Sequence, residues 1–297
     1  MAPDDVATTA RPPALSWSLV IPVKVLALAK SRLAGAGERR SDLALAMAAD
    51  TIAAAVGATG VESVVVVTDD PDIGTLALGL GAHVLPDEPA AGLNDALVHG
   101  ADFSATTWRE RGRAGLAADL PAAQPGELAA ALAVAARTGG TAFVPDAEGT
   151  GTVLYAAVPG AEFRPQFGPR SRDRHKEAGA VEIAAAEIYP AEIYPAEPGG
   201  PEPVSGMPGP AEPGAPVVGT AMSGTAVSGT AVSGADVSGG AVPGMAVPGA
   251  GGGVRVAMPL HGLRRDVDTI DNLRAAAAIG LGPRTRALLA ADSRILD

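Results

Sequence analysis

Three groups of residues in this 297-residue chain combine types and spacings that could do chemistry. Lys24, Lys30 and Arg32 lie in the run Ser18 to Leu33, SLVIPVKVLALAKSRL, where a short apolar stretch breaks at Pro22 and leads into cations. Such cations suit a phosphate or carboxylate, to which ammonium and guanidinium groups make charge-assisted hydrogen bonds, while Lys30 or Arg32 taken alone also reads as a solvated charge on the first helix. The second group is acidic: Asp119 in ADLP, Asp146 in PDAEGTGT, and Asp266 with Asp268 in RRDVDT. In an extended DVD triplet both carboxylates point the same way, because side chains alternate with period two. With a third carboxylate from a neighbouring strand end they suit Mg2+ or Mn2+, hard cations that take oxygen ligands and leave part of their shell to substrate phosphates. Taken singly, each aspartate also reads as a cap or turn former, Asp268 as the cap of a helix starting near Thr269. The third group is the Gly149 to Thr152 loop, GTGT, with FGPRSRDRH at 167–175. The loop offers backbone N–H groups and hydroxyls without bulk, and Arg170, Ser171, Arg172 and Arg174 add donors for a second anion. A tight turn is the plain alternative for GTGT.

These groups need a scaffold that brings strand ends together. Leu19, Val20, Ile21 and Val23 read as a parallel strand covered on both faces. Residues 39–56 follow as an amphipathic helix, VESVVVVTDD at 61–70 as a second strand, 73–80 as a short helix and 82–85 as a third strand. This β, α, β, α, β order predicts a doubly wound sheet, whose ligands sit beyond the carboxyl ends of the strands. GLNDALVHGADF at 92–103 reads as a helix capped by its glycine and asparagine. A strand before Asp119 is weakly written, with only Ala114 to Ala118 to supply it. A helix from about Pro125 to Arg137 follows, then strands at 141–144, 153–157 and from 181, a strand at 254–258 and a helix at 271–279.

Composition narrows the classes. The formal charge of -11 argues against a nucleic-acid binder, which needs a basic face. Aromatics are 3% of residues, so the core must be aliphatic. The absence of cysteine excludes disulfides, thiolate metal sites and cysteine nucleophiles. His83, His99, His175 and His261 show no ligand spacing and read as structural or solvated. Neither GxxxxGK[ST] nor a GxGxxG after the first strand is present. The first residues lack the apolar stretch of a secretory signal and no apolar run is long enough to span a membrane, which makes a cytoplasmic protein the default. Residues 1–16 read as a disordered leader. From 186 to 253 the composition changes: AEIYP occurs twice, then a five-residue beat of GTAVS type runs from Gly219. Glycine and proline are too dense there, and large apolar residues too few, to offset the entropy of ordering. This segment reads as a flexible low-complexity insertion between 17–185 and 254–297, which together make one α/β domain.

In their order along the chain, IPVKVLALAKSRL, VVVVTDD, GLNDAL, ADLPAAQPGEL, GTGT, FGPRSRDRH and RRDVDT resemble the phospholactate or phosphoenolpyruvate guanylyltransferases of coenzyme F-420 biosynthesis. The likeness covers nearly all of 18–183 and 254–290. It implies a GT-A-like nucleotidyltransferase domain with a mostly parallel, Rossmann-like sheet flanked by helices. The implied reaction is attack by a substrate phosphate oxygen on the α-phosphorus of GTP, with release of diphosphate. The partners implied are GTP and a three-carbon phosphorylated acid, foremost phosphoenolpyruvate, with neither nucleic acid nor membrane, and with a homodimer left open. Carried over, Lys24, Lys30 and Arg32 face the triphosphate, Asn94 lies near the guanine, and Asp119, Asp266 and Asp268 hold Mg2+ or Mn2+. Thr152, Gly168 and Ser171 match the positions that bind the acceptor acid. The rivals are another GT-A-like transfer, to 3-phosphoglycerate or of the cytidylyl or molybdopterin guanylyl type, and a non-catalytic nucleotide-binding module tethered by the repeats.

Overall fold

A central sheet places the acidic residues at one end of its strands. The computed structural model describes residues 15–24, 39–88, 90–188, 246–248 and 254–296, all within one unit made of Met1–Pro195 and Gly244–Asp297. Lys30, Arg32, nearly all of the leader and the repeats between 189 and 245 lie outside the described residues.

The elements run β1 (Trp17–Pro22), α1 (Arg40–Val56), β2 (Val61–Val67), α2 (Pro71–Gly79), β3 (His83–Leu85), α3 (Leu93–Thr107), β4 (Gly112–Leu116), α4 (Pro125–Arg137), β5 (Thr141–Pro145), β6 (Thr152–Ala157), α5 (Ser171–Glu177) and β7 (Val181–Glu182). Then come β8 (Ala185–Ile188), β9 (Ala246–Pro248), β10 (Val254–Pro259), α6 (Ile270–Ile279), α7 (Pro283–Ala291) and a closing 3-10 turn, Ser293–Leu296. The main sheet has the order β3-β2-β1-β4-β6-β5-β7. Its pairs are parallel except for β6, which runs antiparallel to both β4 and β5. A second, antiparallel sheet has the order β8-β10-β9, so strand pairing reaches into both margins of the segment read as an insertion.

The aliphatic runs are buried on both faces, as a parallel strand requires. Leu19, Ile21, Val64 and Val66 pack with Ala48, Ile52, Leu128 and Leu132 on one face, while Val20, Val65 and Val67 pack with Ala96, Leu97 and Ala101 on the other. Helix α1 also buries Leu43 and Met47 against Val267, Leu273 and Leu289, which ties the C-terminal helices to the domain. Asp50 completes that link, since its carboxylate accepts the N–H groups of Arg284 (3.0 Å) and Thr285 (2.8 Å) at the start of α7. The sequence reading stopped at Gly280 and did not foresee α7.

Strand β4 begins two residues earlier than expected, and its composition follows from its neighbours. A Cβ on Gly112 would lie 2.5 Å from the Trp17 ring, and one on Gly115 would lie 2.7 Å from Leu97. The strand gives up β-formers to admit a Trp and a Leu from β1 and α3. Helix α3 differs as well. Gly92 precedes it without a side-chain cap, and the Asn94 amide is turned instead to Phe167, giving an N–H to its carbonyl (3.1 Å) and accepting its N–H (2.8 Å).

The turn after β10 is tied to α4. Glu127 accepts the N–H groups of Gly262 and Leu263, both at 2.9 Å, and of Gln124 at the start of its own helix (3.1 Å). Burial raises its pKa, and these three donors oppose that rise. Gly262 approaches α4 so closely that a Cβ would stand 2.1 Å from the Ala122 carbonyl oxygen. Backbone cannot yield there cheaply, so Gly262→Ala is expected to cost about 1–3 kcal/mol, read as a lowered Tm. An unchanged melt would show that the turn is not held by this contact.

Candidate active site

The carboxyl ends of β1 and β4 and the loops after β5 and β10 open onto one cleft of about 740 Å3. Asp119, Asp146, Asp266 and Asp268 line it together, as do Lys24, Thr152, Gly168 and Ser171. Asn94 is not among the lining residues, and its amide is engaged by Phe167.

Local hydrogen bonds aim the acids. Asp119 follows β4 in the ADLP turn, where the Leu120 N–H donates to Thr51 Oγ1 (3.0 Å) and the Asp119 carbonyl accepts the N–H of Val267 (3.0 Å). That second bond joins the ADLP turn to the middle of DVD. Arg264 ties the same turn to the end of β5, donating to the carbonyls of Pro145 (3.1 Å) and Asp146 (2.8 Å). The cap of α6 is Thr269, whose hydroxyl accepts the Asn272 N–H (3.2 Å), so Asp268 does not fill that role. Asp146 fits its plainer reading. Its two carboxylate oxygens accept the N–H groups of Thr150 (2.9 Å) and Gly151 (2.7 Å) and so shape the GTGT loop.

Asp266 is where the charges meet. Burial, and after it the carboxylates of Asp119, Glu148, Asp146 and Asp268, push its pKa up to about 7. Its Oδ1 is shielded from solvent with no hydrogen-bond partner among the described residues. Carboxylate oxygens of Asp146, Glu148 and Asp266 can all lie within 4.8 Å of one another. An orphaned acidic oxygen facing other carboxylates is what a divalent cation neutralises, so the donor set fits Mg2+ or Mn2+. The sequence reading missed Glu148, which Arg265 (3.2 Å) and Asn272 (3.1 Å) hold towards the group. Its place in DAEGTGT, two residues after a strand-end aspartate, was the available signal.

The basic segment 167–175 behaves differently from its sequence. Arg172 pairs with Glu182 (2.8 Å) and donates to the Gly149 carbonyl (3.0 Å), Arg174 donates to the carbonyls of Gln166 (2.7 Å) and Phe167 (3.2 Å), and Arg170 pairs with Asp173 (3.1 Å). Arg172 and Arg174 are thus engaged within the fold, which corrects their reading as donors for a second anion, whereas Arg170 still lines the cleft. The cleft is also lined by Ser171, buried and with its hydroxyl unpartnered among the described residues, and by Thr152, whose Oγ1 lies 2.9 Å from His175 Nδ1. Gly168 sits at φ 114, a conformation natural to glycine. Lys24 and Arg170 are the cations lining the cleft among the described residues.

A family described as "Guanylyl transferase CofC like" matches residues 17–173. The chain belongs to that family. The phosphoenolpyruvate guanylyltransferase of Thermomonospora curvata is 40% identical over 277 residues, covering 93% of this chain and 90% of its own. That of Salinispora arenicola is 51% identical over 171 residues, 56% of this chain and 78% of its own. Among solved structures, a nucleotidyl transferase from Methanothermobacter is a distant likeness, with TM-score 0.39 and 20% identity over 60% of this chain and 90% of that one.

The raised pKa of Asp266 gives a signed prediction. Its carboxyl holds a proton more tightly in the folded chain than at its ordinary value of 3.8, so its ionisation removes stability as pH rises from about 4 through 7. In the presence of chelator, Asp266→Asn should therefore be more stable than wild type by roughly 1–3 kcal/mol at pH 8. The advantage should vanish near pH 4. Thermal melts at both pH values read this, and equal melts at pH 8 would remove the repulsion argument. Mn2+ should raise the wild-type Tm at pH 8 more than that of the variant.

Proposed function

We propose that this chain transfers GMP from GTP to phosphoenolpyruvate, releasing diphosphate and forming enolpyruvoyl-2-diphospho-5'-guanosine. The observation that carries the reading is one cleft that joins clustered carboxylates to the hydroxyls of Thr152 and Ser171, with Lys24 at its edge. The 40% identity to the Thermomonospora curvata enzyme across nearly the whole of both chains supports it.

In this reading Asp119, Asp266 and Asp268 hold Mg2+ or Mn2+ against the triphosphate, and Glu148 steadies the group from the β5 loop. When bound, the metal supplies positive charge that offsets the negative charge developing on the phosphoryl oxygens. Lys24, just past β1, adds a cation for the triphosphate and the departing diphosphate, and Lys30 and Arg32 are assigned the same task. Thr152, Ser171 and the backbone at Gly168 hold the acceptor acid. Its phosphate oxygen forms the new bond to the α-phosphorus as the bond to the β-phosphate bridge breaks, and diphosphate leaves with that electron pair. The attacking phosphate is already ionised, so no side chain needs to remove a proton. Asn94 acts here through Phe167, shaping the acceptor loop. The 189–245 repeats are assigned no part in turnover, so a chain lacking 191–243 should keep it.

Diphosphate release, followed with Mg2+, GTP and either phosphoenolpyruvate, 2-phospho-L-lactate or 3-phosphoglycerate, tests reaction and acceptor together. Release is expected with phosphoenolpyruvate above the others, and none with any acceptor overturns the reading. Asp119→Asn and Asp268→Asn should each lower kcat by roughly 100-fold or more. Wild-type rates in both would remove the metal assignment.

A further inference from the structure

His175 has no part in the chemistry above, yet it is fully buried and touches the acceptor half of the cleft. Its imidazole stacks on Tyr155 (ring centroids 4.7 Å apart, planes 23° apart) and packs against Phe143 and Phe167 at 5.4 Å and 5.9 Å. Few aromatics exist in this chain, and several of them enclose this one ring.

Both ring nitrogens are committed. The backbone N–H of Gln166 donates to Nε2 at 2.8 Å, so the lone pair must be there. The proton of the neutral ring is therefore on Nδ1, which lies 2.9 Å from Thr152 Oγ1 and can only donate to it. Burial, with help from the neighbouring Arg174 charge, lowers the His175 pKa to about 4, so the ring stays neutral and the tautomer does not change across the working pH range. A threonine hydroxyl that accepts from a fixed N–H cannot return its own proton along that line. Its O–H is left to donate elsewhere, and Thr152 lines the cleft.

We infer that His175 is a positioning residue for acceptor recognition: its Nδ1–H fixes the Thr152 hydroxyl as a donor to an anionic oxygen of the substrate, while its Nε2 seats the 166–168 loop beside it. Two neutral hydroxyls, of Thr152 and Ser171, then face the acid without adding charge. The inference rests on the reading that Thr152 binds the acceptor.

Two amide substitutions separate the two ring nitrogens. The carboxamide of His175→Gln can reach the Nε2 position and keep the Gln166 contact while losing the donor to Thr152. His175→Asn places an amide N–H near the Nδ1 position and keeps that donor. With the full chain, GTP and phosphoenolpyruvate, His175→Gln should raise KM for phosphoenolpyruvate by about three- to tenfold, with KM for GTP unchanged. His175→Asn should restore KM most of the way to wild type, and His175→Gln should add nothing in a Thr152→Val background. If Thr152→Val itself leaves this KM unchanged, the assignment of Thr152 to the acceptor fails, and the inference with it. If Thr152→Val raises KM but His175→Gln does not, or the two effects add, only the inference is overturned. Nitrogen NMR of the wild-type imidazole gives a check that needs no variant to fold. A neutral ring protonated on Nδ1 down to about pH 5 is expected, and a proton on Nε2 or titration near 6.5 overturns the inference.

Discussion

Carboxylates repel one another, and this fold nevertheless brings four of them close enough to Asp266 to disfavour its ionisation. Everything around that point is arranged to hold them. The Val267 N–H to the Asp119 carbonyl, the Glu127 carboxylate to the Gly262 and Leu263 amides, and Arg264 to the carbonyls of Pro145 and Asp146 are all contacts to backbone. These contacts fix the turns through backbone groups and leave Asp266 Oδ1 without a partner among the described residues. The site thus retains an uncompensated acidic oxygen, and the cost is borne by elements far away in sequence.

That arrangement explains why the sheet needs its C-terminal appendage. Val267 joins Leu43 and Met47 of α1 with Leu273 and Leu289, so the residue between the two DVD carboxylates is anchored in apolar packing. Val267 is drawn inward, and the two aspartates flanking it line the cleft. The same α1 supplies Thr51 to the ADLP turn and Asp50 to the start of α7. One helix therefore sets the positions of both acid-bearing turns.

The strands and the clustered acids were legible because their signals are local. A run of valines ending in aspartate, or DVD after a proline-bounded strand, carries its meaning within ten residues. What was illegible depends on partners distant in sequence. The glycines of β4 make sense only against Trp17 and Leu97, and Asn94 looked like a cap until Phe167 was found to hold both ends of its amide. Arg172 and Arg174 looked like anion donors because nothing in RSRDRH shows that Glu182 and a row of carbonyls already engage them. His175 had no spacing to reveal it, since its partners are a hydroxyl 23 positions away and a backbone amide.

The two sides of the cleft manage charge in opposite ways, and the difference suits a reaction between two anions. On the acidic side an excess of negative charge is built in, so that side favours a cation and is poor at holding a phosphate without one. On the other side Arg172 and Arg174 are turned into structural contacts, Arg170 lines the cleft in an exposed pair with Asp173, and the buried side chains facing it there include Ser171 and Thr152. Further guanidiniums there, from Arg172 and Arg174, would hold an acid more strongly in the ground state and would compete with the acidic side for the same phosphate. Neutral hydroxyls with fixed donor direction orient an anion without lowering the reactivity of its oxygen as much as a cation would. Neutrality of the buried surface behind those hydroxyls depends on an imidazole that does not take up a proton, and the burial of His175 among aromatic rings favours that state.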